Sequence, residues 1–85
     1  MRKLVIIPTY NEKENVAAMI DKVLSLDGNY NLLFVDDGSP DGTADIIRDK
    51  QKQCPERISL ICRSGKLGLG TAYIAGFKWA LESNY

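Results

Sequence analysis

Three short runs of apolar residues divide the chain, and polar or turn-forming residues border each of them. Runs of this length, rich in β-branched residues, predict β-strands. The central run, Leu32 to Val35, lacks polar alternation, which predicts a strand buried on both faces, as in a parallel sheet. Pro8 has no N–H to donate to a sheet and is expected to close the first strand. The predicted strands cover residues 3–8, 31–36 and 58–62.

Apolar residues at helical spacing follow the first strand. Asn11 and Glu14 are spaced as a capping box, which predicts the start of a helix. Gly28, between Asp27 and Asn29, suits a chain that must turn out of that helix. One apolar face recurs at i, i+3, i+4, i+7 and i+8 and consists of Val16, Met19, Ile20, Val23 and Leu24.

Two further helices are predicted after the second and third strands. Asp41 or Thr43 can cap the first of them, which extends to about Gln53. The second covers residues 71–83, and its small residues favour close packing on a sheet. The inner faces consist of Ile46 and Ile47 in one helix and of Ala72, Tyr73, Gly76, Trp79 and Ala80 in the other.

The resulting order is βαβαβα, an α/β arrangement in which right-handed crossovers produce a three-stranded parallel sheet. Such a sheet has two long edges that need cover. We therefore expect a fourth strand after the last helix, which makes this chain part of a larger domain. Self-association through the exposed sheet edges is a further expectation.

Composition excludes several classes of protein. The 85 residues form at most one small domain. Acidic and basic residues balance at 11 each, so bulk charge supports neither nucleic-acid binding nor binding to an anionic membrane. The absence of histidine excludes histidine-based acid–base chemistry and histidine metal ligands.

Cysteine usage and the N-terminus predict a cytoplasmic location. Cys54 and Cys62 match no zinc or redox spacing and are expected to be free thiols, which fits a reducing compartment. The first apolar run ends at Pro8, too early for a signal peptide. No stretch approaches the about 20 apolar residues of a transmembrane helix.

Two adjacent carboxylates, Asp36 and Asp37, end the central strand. Acidic residues at the carboxyl ends of parallel strands can hold hydroxyls, base edges or metals. Adjacent carboxylates repel, so backbone amides, a cation or a ligand must compensate them. The structural alternative is that Asp36 starts a turn and Asp37 is a solvated loop residue. A calcium loop starting at Asp37 is excluded, because Arg48 stands where it needs glutamate.

Pro8, Tyr10 and Glu12 follow the first strand and adjoin the acidic pair if the two strands are neighbours. A tyrosine ring can stack on a base, and a carboxylate can accept hydrogen bonds from a base or a ribose. The structural alternative for Tyr10 is a half-buried aromatic ring that covers the end of the sheet. The alternative for Glu12 is a negative charge that balances the helix dipole in the first turn of the following helix. Their convergence with the acidic pair favours a binding site.

A glycine-rich basic loop with Arg63 and Lys66 leads into the last helix. Its glycines are spaced G-x-x-G-x-G and follow the third strand, whereas a dinucleotide-binding fingerprint has G-x-G-x-x-G after the first strand. A P-loop is also excluded, because the loop does not end in Gly-Lys-Ser/Thr. A basic loop at a helix N-terminus can hold an anion such as a phosphate. A connector with solvated charges is the alternative.

Three ordered blocks resemble the start of family 2 inverting glycosyltransferases with the GT-A fold. They are Val-Ile-Ile-Pro-Thr-Tyr-Asn-Glu at 5–12, Val-Asp-Asp-Gly-Ser-Pro-Asp-Gly-Thr at 35–43, and the glycine-rich block at 63–77. The third block, with Ser39-Pro40-Asp41, resembles the dolichol-phosphate or polyprenol-phosphate mannosyltransferase branch. The likeness covers essentially the whole chain and implies the N-terminal half of a three-layer, Rossmann-like domain.

The resemblance implies a hexosyltransferase that moves a sugar, mannose in this branch, from GDP-mannose or a UDP-sugar to a polyprenol or dolichol phosphate. By this resemblance, Asp37 would contact the base and Asp36 would help to shape the pocket that holds it. The residues it implies for donor binding are Pro8, Tyr10, Glu12, Asp36, Asp37, Arg63 and Lys66.

The family also holds Mg²⁺ or Mn²⁺ with an Asp-x-Asp motif, because a metal stabilises the charge on the leaving nucleoside diphosphate. This sequence contains no Asp-x-Asp, so no metal ligand and no catalytic residue is assigned to it. We expect the motif at the end of the next strand and expect the 85-residue chain to be inactive alone. The lipid-phosphate acceptor implies that the intact protein associates with the cytoplasmic face of a membrane.

A small non-catalytic α/β module that binds a ligand or a metal at the same acidic sheet end is the alternative. Flavodoxin-like and receiver-like folds also place an acidic cluster there, although they usually have five strands. Metal binding to Asp36 and Asp37 without a nucleotide would favour this alternative.

Overall fold

The computed structural model describes residues 3–26, 30–64 and 68–83, which form one parallel sheet and three helices. The strands are hydrogen-bonded in the order β1-β2-β3. This architecture confirms the predicted α/β class and the βαβαβα order. The elements are β1 (Lys3–Thr9), α1 (Val16–Leu24), β2 (Tyr30–Asp36), α2 (Thr43–Gln53), β3 (Ile58–Cys62) and α3 (Leu69–Glu82).

The central strand β2 is buried on both faces, as its uninterrupted apolar run predicts. Each residue from Leu32 to Val35 is at most 1% exposed. Successive side chains of a strand point to opposite faces, so the run contributes to two separate cores. Leu32 and Phe34 pack with α1 and α2, whereas Leu33 and Val35 pack with α3. The chain therefore has three layers.

The inner faces of α1 and α2 are those that the apolar spacing predicts. Val16, Ile20 and Ile47 are fully buried in the first core. Partly buried side chains extend that core, among them Met19, Val23, Leu24 and Ile46.

The helix α3 packs on β1 and β2 through a narrower face than predicted. Ala72 and Gly76 are buried, and Trp79 packs against the second core. The prediction for Tyr73 is wrong, because its side chain lies on the outer face, 42% exposed, and stacks on Phe77. The outer face of α3 also exposes Ile74 and Leu81.

Two predicted element boundaries are also wrong. Pro8 does not close β1, since the strand continues to Thr9; an edge strand tolerates proline because a missing N–H need not break the ladder. Asn11 does not cap α1, which begins at Val16 after Asn15. The predicted helix end at residues 27–29 lies outside the described residues.

Cys54 and Cys62 are free thiols. In residues 3–26, 30–64 and 68–83, no helix has the length and apolar character needed to cross a membrane. Neither β1 nor β3 has a second strand neighbour among the described residues, so self-association through these edges stays a prediction.

Replacement of Gly76 by alanine tests the close packing of α3. A Cβ at this position would lie 2.6 Å from Cγ2 of Ile6, a stiff β-branched side chain on β1. Overpacking destabilises by about 1–3 kcal/mol, and the higher helix propensity of alanine offsets about 1 kcal/mol of this, so we expect the free energy of unfolding to fall by up to about 2 kcal/mol. Urea unfolding measures the change.

Gly70→Ala is the matched control on the same helix, because nothing lies within 4 Å of its Cβ position. We expect that variant to be at least as stable as the wild type. Equal stability of the two variants would show that α3 does not depend on close contact at Gly76.

Candidate functional site

The loops that follow the three strands meet at one edge of the sheet. The strands are parallel, and Thr9, Asp36 and Cys62 lie side by side in register. The next residues, Tyr10, Asp37 and Arg63, therefore leave the sheet at the same level. This arrangement brings together the predicted loop after the first strand, the acidic pair and the start of the glycine-rich loop.

Asp36 is a buried anchor for two of these loops. The residue is 1% exposed, and its carboxylate accepts hydrogen bonds from Thr9 Oγ1 at 2.7 Å, Ser39 Oγ at 2.7 Å and Ser39 N at 3.0 Å. Neutral donors thus compensate this carboxylate, as turn-forming aspartates require when buried. Asp36 holds the loop after β2 against the end of β1.

The backbone after β1 is held by the loop before α2. The N–H groups of Asn11, Glu12 and Lys13 donate to Ser39 Oγ at 3.0 Å, Thr43 Oγ1 at 2.9 Å and Asp41 Oδ2 at 3.1 Å. Asn11 adopts a φ of 55°, in the left-handed region that asparagine tolerates better than most residues. This conformation explains why Asn11 and Glu14 do not form the predicted capping box.

Asp41 fixes the start of α2 from outside the helix. Its Oδ1 accepts hydrogen bonds from Thr43 Oγ1 at 2.5 Å and from Thr43 N at 3.0 Å. The hydrogen bond from the Thr43 hydroxyl is the main cause that lowers the pKa of Asp41 below its ordinary value of 3.8, and the Lys13 N–H adds to it. The helix α2 begins at Thr43 with Gly42 at its N-cap position, so the prediction that Asp41 or Thr43 occupies that position is wrong.

Asp37 is compensated by a cation. Its side chain is 8% exposed, and Nε and Nη2 of Arg63 each lie 2.6 Å from its Oδ1. The backbone reinforces this position, because Asp37 N donates to Thr9 O at 3.0 Å and Arg63 N donates to Asp36 O at 2.8 Å. The interpretation of Asp37 as a solvated loop residue is therefore wrong.

Arg63 also contacts the start of α3. Its Nη1 donates to Thr71 Oγ1 at 3.0 Å, and its Nη2 donates to Gly68 O at 3.3 Å. The side chain of Arg63 is 12% exposed. The interpretation of Arg63 as a solvated charge in a connector is therefore wrong. Lys66 lies outside the described residues.

Pro8, Tyr10 and Glu12 stand at the rim of this edge. Pro8 and Glu12 are half-buried, and Tyr10 is 36% exposed. The structure thus brings six of the seven predicted site residues to one sheet end. Contacts of these residues with a nucleotide stay predictions.

The acidic pair does not fit a divalent metal. Asp36 is occupied by hydroxyl and N–H donors, and Asp37 is paired with Arg63. Throughout the described part of the chain, no group of three cysteine, aspartate or glutamate side chains converges as a metal site would need. A cation near this edge would need ligands other than these two carboxylates.

Sequence reasoning missed the hydroxyl groups that organise the site. Thr9 and Ser39 hold Asp36, and Thr43 joins Glu12 to Asp41. A signal was available in the spacing, because an aspartate followed two or three residues later by serine or threonine commonly forms a local turn hydrogen bond. The long-range bonds to residues 9–13 carried no such local signal.

Comparison with known proteins identifies the family. The family model described as "Glycosyl transferase family 2" matches residues 4–83. The chain belongs to glycosyl transferase family 2. This match confirms the family resemblance of the three sequence blocks.

Curated relatives of this family 2 chain include two bacterial enzymes. Polyprenol monophosphomannose synthase of Mycolicibacterium smegmatis is 45% identical over 84 residues, 99% of this chain and 32% of the relative. Undecaprenyl-phosphate mannosyltransferase of Micrococcus luteus is 44% identical over 85 residues, 100% of this chain and 35% of the relative. The chain thus spans about a third of the length of these relatives.

A solved structure supports the same fold. The mannosyltransferase PcManGT from Pyrobaculum calidifontis, in complex with GDP-Man and Mn²⁺, superposes with a TM-score of 0.85 at 26% identity. The match covers 93% of this chain and 24% of PcManGT. The predicted three-layer GT-A architecture is confirmed by this likeness.

Replacement of Asp36 by asparagine tests its role as an anchor. The amide can accept at only one atom, which leaves a buried hydroxyl or N–H donor of Thr9 or Ser39 without a partner. We expect the free energy of unfolding to fall by about 2–3 kcal/mol, measured by urea unfolding. Asp49→Asn on the exposed surface of α2 is the control and should change it by less than about 0.5 kcal/mol. A loss no larger than that of the control would exclude the anchoring role.

The lowered pKa of Asp41 predicts how stability depends on pH. A carboxyl group whose pKa is lower in the folded state than in the unfolded state stabilises the fold above about pH 4, and this contribution is lost as pH falls through the folded pKa. We expect wild type to exceed Asp41→Asn in free energy of unfolding at pH 6. The gap should shrink below about pH 4. A gap that stays constant from pH 6 to pH 3 would contradict the effect.

Proposed function

We propose that this chain is the nucleotide-binding part of a hexosyltransferase that moves mannose from GDP-mannose to a polyprenol or dolichol phosphate. The observation that carries the proposal is the buried Asp37, held by Arg63 beside Tyr10 and Glu12, in a chain that matches mannosyltransferases along its length. A UDP-sugar is the alternative donor.

The named relatives support the reaction class. By name, one curated relative is a polyprenol monophosphomannose synthase and the other is an undecaprenyl-phosphate mannosyltransferase, and the solved neighbour is a mannosyltransferase complexed with GDP-Man. The relatives are about three times as long as this chain, so acceptor binding and the chemical step are assigned to the intact protein. We propose that the intact protein works at the cytoplasmic face of a membrane, where a lipid phosphate is accessible.

The roles of the site residues follow from their chemistry and position. Asp37 stands at the carboxyl end of β2 with a fixed carboxylate, which suits recognition of the N–H edge of guanine. Tyr10 is accessible at the rim, where its ring can stack on the base. Pro8 and Glu12 complete the rim and would contact the nucleoside. Asp36 acts indirectly, because its bonds to Thr9 and Ser39 shape the two loops.

A divalent cation belongs to the proposal for the intact enzyme. Such a cation, Mn²⁺ in the solved neighbour, offsets the charge of a leaving nucleoside diphosphate. Asp36 and Asp37 are committed to other partners, so we propose ligands from other residues. What the described residues contribute is the positioning of the nucleoside.

Nucleotide titration of the ¹⁵N-labelled chain tests the proposal. We expect GDP to shift the backbone amide resonances of Tyr10, Glu12 and Asp37 in a saturable way. UDP in a parallel titration shows whether the site selects the base. The amide of Lys78, in the last turns of α3, serves as an internal control and should not move.

Variants make the titration specific. Asp37→Asn should lose most of the response to GDP, whereas Asp49→Asn, on the surface of α2, should keep it. A wild type that no nucleotide perturbs at millimolar concentration would overturn the proposal. Shifts of Asp36 and Asp37 on addition of Mn²⁺ without a nucleotide would favour a non-catalytic metal-binding module instead.

A further inference from the structure

We infer that Arg63 is a positioning residue, which orients the Asp37 carboxylate for the base, and that it is not a ligand of the donor phosphates. This inference rests on the proposed nucleotide-binding function. It replaces the expectation that Arg63 contacts the donor as a basic residue of the glycine-rich loop.

All three nitrogens of the Arg63 guanidinium contact protein groups. Nε and Nη2 each lie 2.6 Å from Asp37 Oδ1. Nη1 donates a hydrogen bond to Thr71 Oγ1 at 3.0 Å, and Nη2 also donates one to Gly68 O at 3.3 Å. Every nitrogen of the group thus has a partner within the chain. A bidentate contact of Arg63 with a phosphate would therefore have to displace at least one of these bonds.

The pair formed by Arg63 and Asp37 is largely buried. The side chains of Arg63 and Asp37 are 12% and 8% exposed, so little water screens them. A carboxylate in this environment depends on its cation, because a buried charge without a partner is strongly unfavourable. The two contacts to one oxygen fix the direction in which the Asp37 carboxylate faces.

Arg63 also connects Asp37 to α3. Arg63 bonds Thr71 in the first turn of α3, and Thr71 Oγ1 itself donates to Gly68 O at 2.9 Å. The orientation of Asp37 is thereby coupled to the start of a helix that packs on the opposite face from α1 and α2. A displacement of the first turn of α3 would therefore alter the orientation of the Asp37 carboxylate, because Arg63 contacts both.

The experiment compares guanosine with GDP as probes, because they share the base and differ in the diphosphate. If Arg63 acts through Asp37, Arg63→Gln weakens the binding of both probes by the same factor, about tenfold for loss of a charge-assisted hydrogen bond. If Arg63 binds phosphate, GDP binding weakens while guanosine binding is unchanged, which overturns the inference. Affinities come from amide shifts of the 85-residue chain.

A double-mutant comparison adds a second readout. In an Asp37→Asn background, Arg63→Gln should cause no further loss of guanosine affinity, because the group that it positions has already been changed. If the double variant loses guanosine affinity by the product of the two single factors, Arg63 and Asp37 act independently, and the inference is overturned. Arg48→Gln is the matched control, since Arg48 is an exposed arginine that bonds Asp45 and Cys62, and it should leave both affinities unchanged.

Two milder variants keep the test decisive if Arg63→Gln unfolds. Arg63→Lys keeps the charge but loses the planar fork, so positioning predicts no rescue of guanosine binding, whereas a phosphate contact predicts substantial recovery of GDP binding. Thr71→Val removes the hydroxyl that holds Nη1 and should weaken the binding of guanosine and of GDP by an equal, smaller factor.

A wild type that binds neither probe would overturn the proposed function together with this inference. Binding that the Arg63 variants leave intact would overturn the inference alone.

Discussion

The burial of two adjacent carboxylates at the end of an apolar strand is the constraint on which this sheet edge depends. Both have little contact with water, so each needs partners within the chain to keep its charge. The chain meets this requirement in two different ways. Asp36 takes neutral hydroxyl and N–H donors from Thr9 and Ser39, and Asp37 takes the guanidinium of Arg63. As a result, residues from three separate loops are fixed relative to one another.

This division separates structural from recognition chemistry. Asp36 is surrounded by short bonds and holds the loops in place, while Asp37 keeps an oriented charge at the edge where ligands of open α/β sheets bind. The backbone N–H groups of residues 11–13 are used in the same framework through Ser39, Thr43 and Asp41. A site whose loops are fixed before a ligand arrives loses less conformational entropy on binding.

Helices cover both faces of the sheet and leave the carboxyl ends of its strands for the site. The helices α1 and α2 lie on one face of the sheet, as right-handed crossovers between successive neighbouring strands require. After β3 the chain passes to the other face, and α3 returns over β2 and β1. Gly76 permits this return, because its missing side chain lets the helix approach Ile6. Ligands in this class of sheet bind at the carboxyl ends of the strands, which is where this site lies.

The sequence by itself determined the elements and their order, since apolar runs and helical spacing are local signals. It also determined the family, through three motif blocks, and the buried faces of β2, α1 and α2. Only the tertiary structure decided which polar groups pair, because the bonds of Asp36 to Thr9 and of Asp37 to Arg63 join residues 27 and 26 positions apart. The failed capping box has the same cause: Asn11 donates its N–H to Ser39 across the site, and this long-range bond outweighs the local helix signal.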